Sequence, residues 1–167
     1  KATDFLIKKG HYRIAHIMGP KTMPISLARF EGYKQALHKN RIPFGPALVK
    51  EVDFSGKETE KAMLGLMKLK SPPTAIFTFK NDITLDAIAL LKKRYPEKLA
   101  TIDFTDFGNL PLFKYLDHKP VASVKEDFYE VGRQAAAWLF EMINEKKQEY
   151  DRYHKNIKIP CKLIINR

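Results

Sequence analysis

The sequence predicts an α/β fold in which a mostly parallel sheet is flanked by helices. Three observations predict it. Short apolar runs alternate with amphipathic stretches along the chain, the pattern of repeated strand–helix–strand units. Gly and Pro punctuate the junctions, as at Gly19-Pro20 and Ser71-Pro-Pro73. The chain has 167 residues, 44% of them apolar, enough for one domain with a real core or one domain plus part of another.

Taken in order, residues 1–10 predict a helix closing on Gly10, with Ala2, Phe5 and Leu6 as its buried stripe. The chain starts at Lys1 inside that pattern, so it reads as a fragment, and a missing signal peptide carries no weight. Residues 13–18 predict a buried strand. Residues 26–39 place Leu27, Phe30, Tyr33 and Leu37 at helical spacing. A second strand is expected over 47–52 and a helix over 57–69, with Ala62, Met63, Leu66 and Leu69 on one face. The run 74–79 is the most strand-like of the chain. Residues 82–94 predict a helix with Leu85, Ile88, Ala89 and Leu91 inward, and residues 99–104 a fourth strand. A short strand over 121–124 and a long helix over 127–144 follow. A polar loop over 146–155 then leads to a strand over 157–165, interrupted by Pro160.

Charge is uneven. The chain carries 30 basic and 19 acidic residues, a net +11, and the first fifty residues hold 10 basic against 2 acidic. The basic residues are scattered and interleave with no aromatic platform, which favours a solvated surface over a nucleic-acid site. One cysteine, Cys161, excludes an internal disulfide. No apolar run approaches the ~18 residues needed to cross a bilayer.

Several chemistries are missing. The eight glycines fit neither G-x-G-x-x-G nor a phosphate loop. The five histidines form no metal-ligand pattern, so neither a metal nor a cofactor is expected. No G-x-S-x-G nucleophile elbow occurs. Asp103 and Asp106 form the only close carboxylate pair at an expected strand end. In a parallel sheet, ligands bind outside the carboxyl ends of the strands, which selects the loops 19–29, 53–57, 79–84, 103–111 and 124–128.

Those loops carry an ordered series of motifs. Residues 10–17, then Gly19-Pro20, then Arg29-Phe-Glu-Gly-Tyr33, resemble the effector-binding domain of the LacI (lactose repressor) family of transcription regulators. Pro73 to Phe77 with Asn81-Asp82, Pro120 to Val124 through Phe128 and Gly132, and Pro160 to Arg167 continue the resemblance across nearly the whole chain. It implies a Rossmann-like, periplasmic-binding-protein-like type I fold with a small molecule held between two lobes. Residues 1–124 would be the C-terminal lobe. Residues 125–167 would return to an N-terminal lobe that is mostly absent, as is the helix-turn-helix DNA-binding module.

The same resemblance implies the site. Arg29 matches the family's effector-contacting arginine, and a guanidinium fork suits hydroxyls or a carboxylate. Asn81 matches its asparagine, although a helix N-cap serves equally well. Phe54 matches an aromatic that packs on a sugar face, and Phe128 a pocket position near the hinge. Thr105 stands where the family has an effector-binding aspartate; Asp106 is retained, and Asp103 is placed to compensate for the lost charge. His11 is read as a helix-end cap. Met23 and Pro24 are further candidates for lining the cleft.

The reading is an effector-binding, dimer-forming domain of a cytoplasmic LacI-type regulator, not an enzyme. Its ligand would be a sugar or sugar derivative, and its operator DNA would be bound through a module outside this chain. The alternative is an exported sugar-binding protein of a transporter or sensor. A third class, an α/β enzyme using Asp103 and Asp106, requires ligand turnover.

Overall fold

The computed structural model describes residues 1–144 and 156–166; the expected polar loop over 146–155 lies outside the described residues. The chain divides into two compact units, residues 1–125 with 163–167, and residues 126–162.

The first unit is built on a six-stranded sheet. Its strands are β1 Ile14–Met18, β2 Val49–Glu51, β3 Ala75–Thr78, β4 Asp103–Phe107, β5 Ala122–Lys125 and β6 Lys162–Ile165. They lie in the order β2-β1-β3-β4-β5-β6, and the neighbouring pairs among β1 to β5 are parallel. One row across the sheet runs Val49, His16, Phe77, Thr105, Ala122. The chain leaves β6 at Asn166, whose amide nitrogens bond the carbonyls of Val121 and Pro120.

Helices cover both faces, and β1, β3 and the middle of β4 are accordingly buried on both sides. Helices α1 Ala2–Lys8 and α2 Pro24–Lys39 cover one face. Here Tyr33 is buried and donates to the Ile14 carbonyl at 2.8 Å. Helices α3 Gly56–Met67 and α4 Asn81–Arg94 cover the other. There Met63, Leu66 and Leu91 pack with Ala15, Ile17, Ile76 and Phe104. Ser55 caps α3 by accepting from the Glu58 amide at 3.2 Å. Gly10 ends α1 at φ +95, the left-handed position that glycine reaches without a Cβ penalty.

Four expectations are corrected. Leu27 of α2 is exposed, while Tyr33, Ala36 and Leu37 are buried. In α4 the inward set is Ile83, Ala87, Ile88, Leu90 and Leu91, with Ala89 exposed. Residues 47–48 lie in a 3-10 turn, Pro46–Leu48, which shortens β2. The fourth strand begins at Asp103, not Leu99. Pro96, with its φ already helical, opens the short helix α5 Pro96–Leu99, which uses up the apolar run.

The second unit holds α6, Phe128–Asn144. The Glu130 amide donates to the Asp127 carboxylate, and Arg133 grips Glu130 through two 2.7 Å bonds. Phe128, Val131, Leu139, Phe140 and Ile143 are exposed apolar residues of this helix.

Candidate functional site

The carboxyl ends of β1 to β4 gather an arginine, a lysine, an asparagine and three phenylalanines. Arg29 lies in the second turn of α2, whose start is fixed by Pro24 and by the Ser26 hydroxyl donating to the Gly19 carbonyl at 2.7 Å. That places its guanidinium over the strand ends. Nη1 donates to the Phe79 carbonyl at 2.7 Å. The guanidinium carbon sits 3.7 Å from the Phe107 ring centre and 4.5 Å from that of Phe79. A planar cation on two ring faces, tied to a carbonyl, has lost most of its rotamer freedom before any ligand arrives.

Phe54 follows β2 and joins this group. Its ring lies 5.2 Å from that of Phe79, and Lys80 Nζ stands 4.7 Å from its centre. The ring rests on Gly19, where an added Cβ would come within 2.7 Å of it. The Phe54 backbone is at φ +71, rare for a bulky residue and worth about 1–3 kcal/mol of strain. Such strain clusters at functional sites.

Asn81 is the first residue of α4, and the N-cap position belongs to Lys80. The capping expectation for Asn81 is thereby corrected. Its amide instead covers Gly108, where a Cβ would meet Nδ2 at 2.4 Å. Lys80 pairs with Asp82 at 2.8 Å.

The three β4 candidates fall elsewhere. Asp103, expected beside the site, is at the amino end of its strand, because the strand starts four residues later than the sequence suggests. It is held there by Lys9 at 2.7 Å and His11 at 3.0 Å. Burial pushes its carboxyl up, but the hydrogen bonds and charges of Lys9 and His11 outweigh that and hold it below the usual carboxylate range. The His11 backbone N–H closes α1 on the Leu6 carbonyl at 3.1 Å, while its ring bonds both Asp103 and Thr74 and links the helix end to the sheet. Thr105 is wholly buried in mid-strand. Asp106 is also wholly buried and accepts from Thr84 at 3.1 Å, while Thr84 and Thr78 share a 2.6 Å hydroxyl bond. Burial raises its carboxyl to about 6, against the hydroxyls of Ser123 and Thr84. Asp103 and Asp106 therefore sit apart, one at the amino edge and one inside the α3/α4 layer, and do not form a paired catalytic site.

The structure thus brings Arg29, Phe54 and Asn81 to one edge and separates them from Asp103, Thr105 and Asp106. Phe128 is exposed at the start of α6, in the second unit. Sequence reasoning missed Phe79, Lys80 and Phe107. The signal was present: each lies in or directly after a strand, inside the loops that the carboxyl-end rule selects.

This arrangement suits binding by hydrogen bonds and ring faces. A family model described as the periplasmic binding protein-like domain matches residues 3–166. The chain belongs to that family. The transcriptional repressor CytR of Escherichia coli, of the helix-turn-helix type, is 34% identical over 145 residues, covering 85% of this chain and 41% of that protein. The crystal structure of a LacI transcriptional regulator from Bacillus cereus subsp. cytotoxis superposes with a TM-score of 0.84 at 27% identity, over 99% of this chain and 57% of that one. A complex of the regulator CelR with cellobiose gives 0.76 at 28% identity, over 89% of this chain and 45% of that one. The chain therefore spans about half the length of the relatives it matches, or less. The resemblance to LacI-type effector-binding domains holds along the chain, and its named relatives are transcription regulators.

Proposed function

We propose that this chain is the effector-binding and dimer-forming part of a cytoplasmic LacI-type transcription regulator. Residues 1–124 form its C-terminal lobe, and residues 125–167 return to an N-terminal lobe. A helix-turn-helix module outside this chain binds operator DNA, in line with the helix-turn-helix type of the CytR relative. A sugar or related metabolite occupies the cleft between lobes. The observation that carries this reading is the Arg29 guanidinium, set at the strand ends by two rings and a backbone carbonyl.

The chemistry is recognition without covalent steps. The Arg29 guanidinium, held at the strand ends, offers a planar cation to ligand oxygens. The Asn81 amide both donates and accepts, which matches a hydroxyl. Phe54 covers an apolar ligand face, as a flat ring covers the C–H face of a pyranose. The cellobiose held by the CelR relative supports a saccharide ligand. The ligand controls DNA binding only through unequal affinity for two arrangements of the lobes.

The test is a thermal-shift screen of sugars and sugar derivatives on the full-length regulator, starting with cellobiose, followed by calorimetry on Arg29→Ala. A true effector should lose about 1–3 kcal/mol of binding, the cost of an unmade charged hydrogen bond. Hits whose affinity is untouched by both Arg29→Ala and Asn81→Ala would place the ligand elsewhere and overturn the assignment.

A further inference from the structure

Asp106 is wholly buried, so its carboxylate has no route to a ligand. It does touch the element that carries Asn81. Thr84 of α4 donates to Asp106 Oδ2 at 3.1 Å, and the Asn81 amide lies on Gly108. The spacing of these two contacts matters. Asn81 and Thr84 are three apart on a helix and share a face. Asp106 lies in β4, and Gly108 follows just past its end. Thr84 meets Asp106 and, one turn earlier on α4, Asn81 meets Gly108, so the same helix face touches β4 and the bend that follows it. Gly108, at φ +119 and with its amide bonded to the Val124 carbonyl, leaves the hollow that the Asn81 amide fills.

We propose that Asp106 is a positioning residue for the candidate site: by accepting from Thr84 it latches the first turn of α4 to β4 and so sets the Asn81 amide over Gly108. The proposal rests on the reading of Asn81 as an effector contact. It also explains what a buried acidic side chain does between α4 and β4. Thr78, bonded to Thr84 at 2.6 Å, extends the latch to β3, whose end leads directly into Lys80 and Asn81. Three elements that meet at the site thus share one buried polar chain.

The experiment follows the Asn81 side-chain amide pair by NMR on this chain without any effector, assigning the pair by its loss in Asn81→Ala. Thr84→Val keeps the volume and removes the donor; the Asn81 pair should shift while the Lys9 and His11 signals at the other end of the sheet stay in place. Asp106→Leu should reproduce that shift, and the double variant should add nothing. Asp106→Asn keeps an oxygen acceptor and should retain the wild-type position, a rescue that a general loss of packing would not produce. If Asp106→Leu fails to fold, Thr84→Val decides alone. An unmoved Asn81 pair in Thr84→Val overturns the proposal, as does an Asp106→Asn shift equal to that of Asp106→Leu. No effector enters this test, so its failure leaves the effector reading standing, and failure of the Arg29 experiment leaves the latch measured.

Discussion

Each face of the sheet buries a side chain that ordinarily titrates below pH 7, and burial drives both towards neutrality by different means. Under α2, His16 is wholly buried; its Nδ1 bonds the Phe77 carbonyl at 2.9 Å, and its ring stacks at 4.6 Å on Phe77 and 5.3 Å on Tyr33. Burial lowers its pKa to about 4, against the Phe77 bond, with the Arg29 charge pushing the same way as burial. Under α4, Asp106 is held by hydroxyls and raised to about 6. The aromatic face tolerates a titratable group by stacking it as a neutral ring. The aliphatic face tolerates one only with hydroxyl partners, because a bare carboxylate among Leu and Ile has no other source of hydrogen bonds.

The largest expected effect sharpens this contrast through pH. Unfolded, Asp106 would lose its proton near pH 3.9; folded, it keeps it to about 6. Its contribution is therefore present below the unfolded value and lost as pH rises from 4 to 6, by about 3 kcal/mol. His16 works the other way. Its folded value of about 4 lies below the unfolded 6.5, so its contribution is present above 6.5 and lost as pH falls to 4, again by about 3 kcal/mol. The two offset each other in the native chain. Denaturant titrations between pH 4 and 6.5 should show Asp106→Asn losing stability steeply on acidification and His16→Gln gaining it. Parallel curves for the two variants would break the contrast.

Gly108→Ala comes next. It forces a Cβ into the Asn81 amide at a φ of +119, and should cost about 1–3 kcal/mol in a denaturant melt. Tyr33→Phe tests the His16 face more gently. It removes a buried donor to the Ile14 carbonyl and should lower stability by about 1 kcal/mol, with the ring stack preserved. Burial raises that phenol to about 12, so an ultraviolet titration of the folded chain should show one tyrosine resisting ionisation, and Tyr33→Phe should abolish it. Ser55→Ala, on the opposite face, removes the cap of α3; about 1 kcal/mol or less is expected, read as a small drop in Tm. A Ser55 effect larger than that of Gly108 would reverse the ranking.

Most of the sheet was legible because β1 and β3 are continuous apolar runs bounded by Gly or Pro. The error at β4 shows the limit of that signal. Residues 99–104 look strand-like, but Pro96 diverts Leu99 into a helical turn, and the register of every later side chain moves with it. Asp103 therefore changed ends of the sheet. The candidate site was legible in part for the same reason: Arg29 and Asn81 follow β1 and β3, whose limits match expectation to within a residue, and Phe54 follows a shortened β2, whereas Thr105 and Asp106 depend on how β4 is registered. Asp106 illustrates a second limit. Nothing in its neighbours along the chain announces Thr84, twenty-two residues earlier, as its hydrogen-bond donor.

Local sequence suffices for the alternation of strands and helices, hence for a parallel sheet whose carboxyl edge can be named in advance. That information is local, carried by apolar periodicity and by the backbone limits of Gly and Pro. Long-range packing alone settles which rings clamp Arg29, why Gly19 and Gly108 lack side chains, and which buried acid takes a hydroxyl donor. Those contacts join residues far apart in the chain, and their energies depend on burial and on distances of a few ångströms, which no run of neighbouring residues encodes.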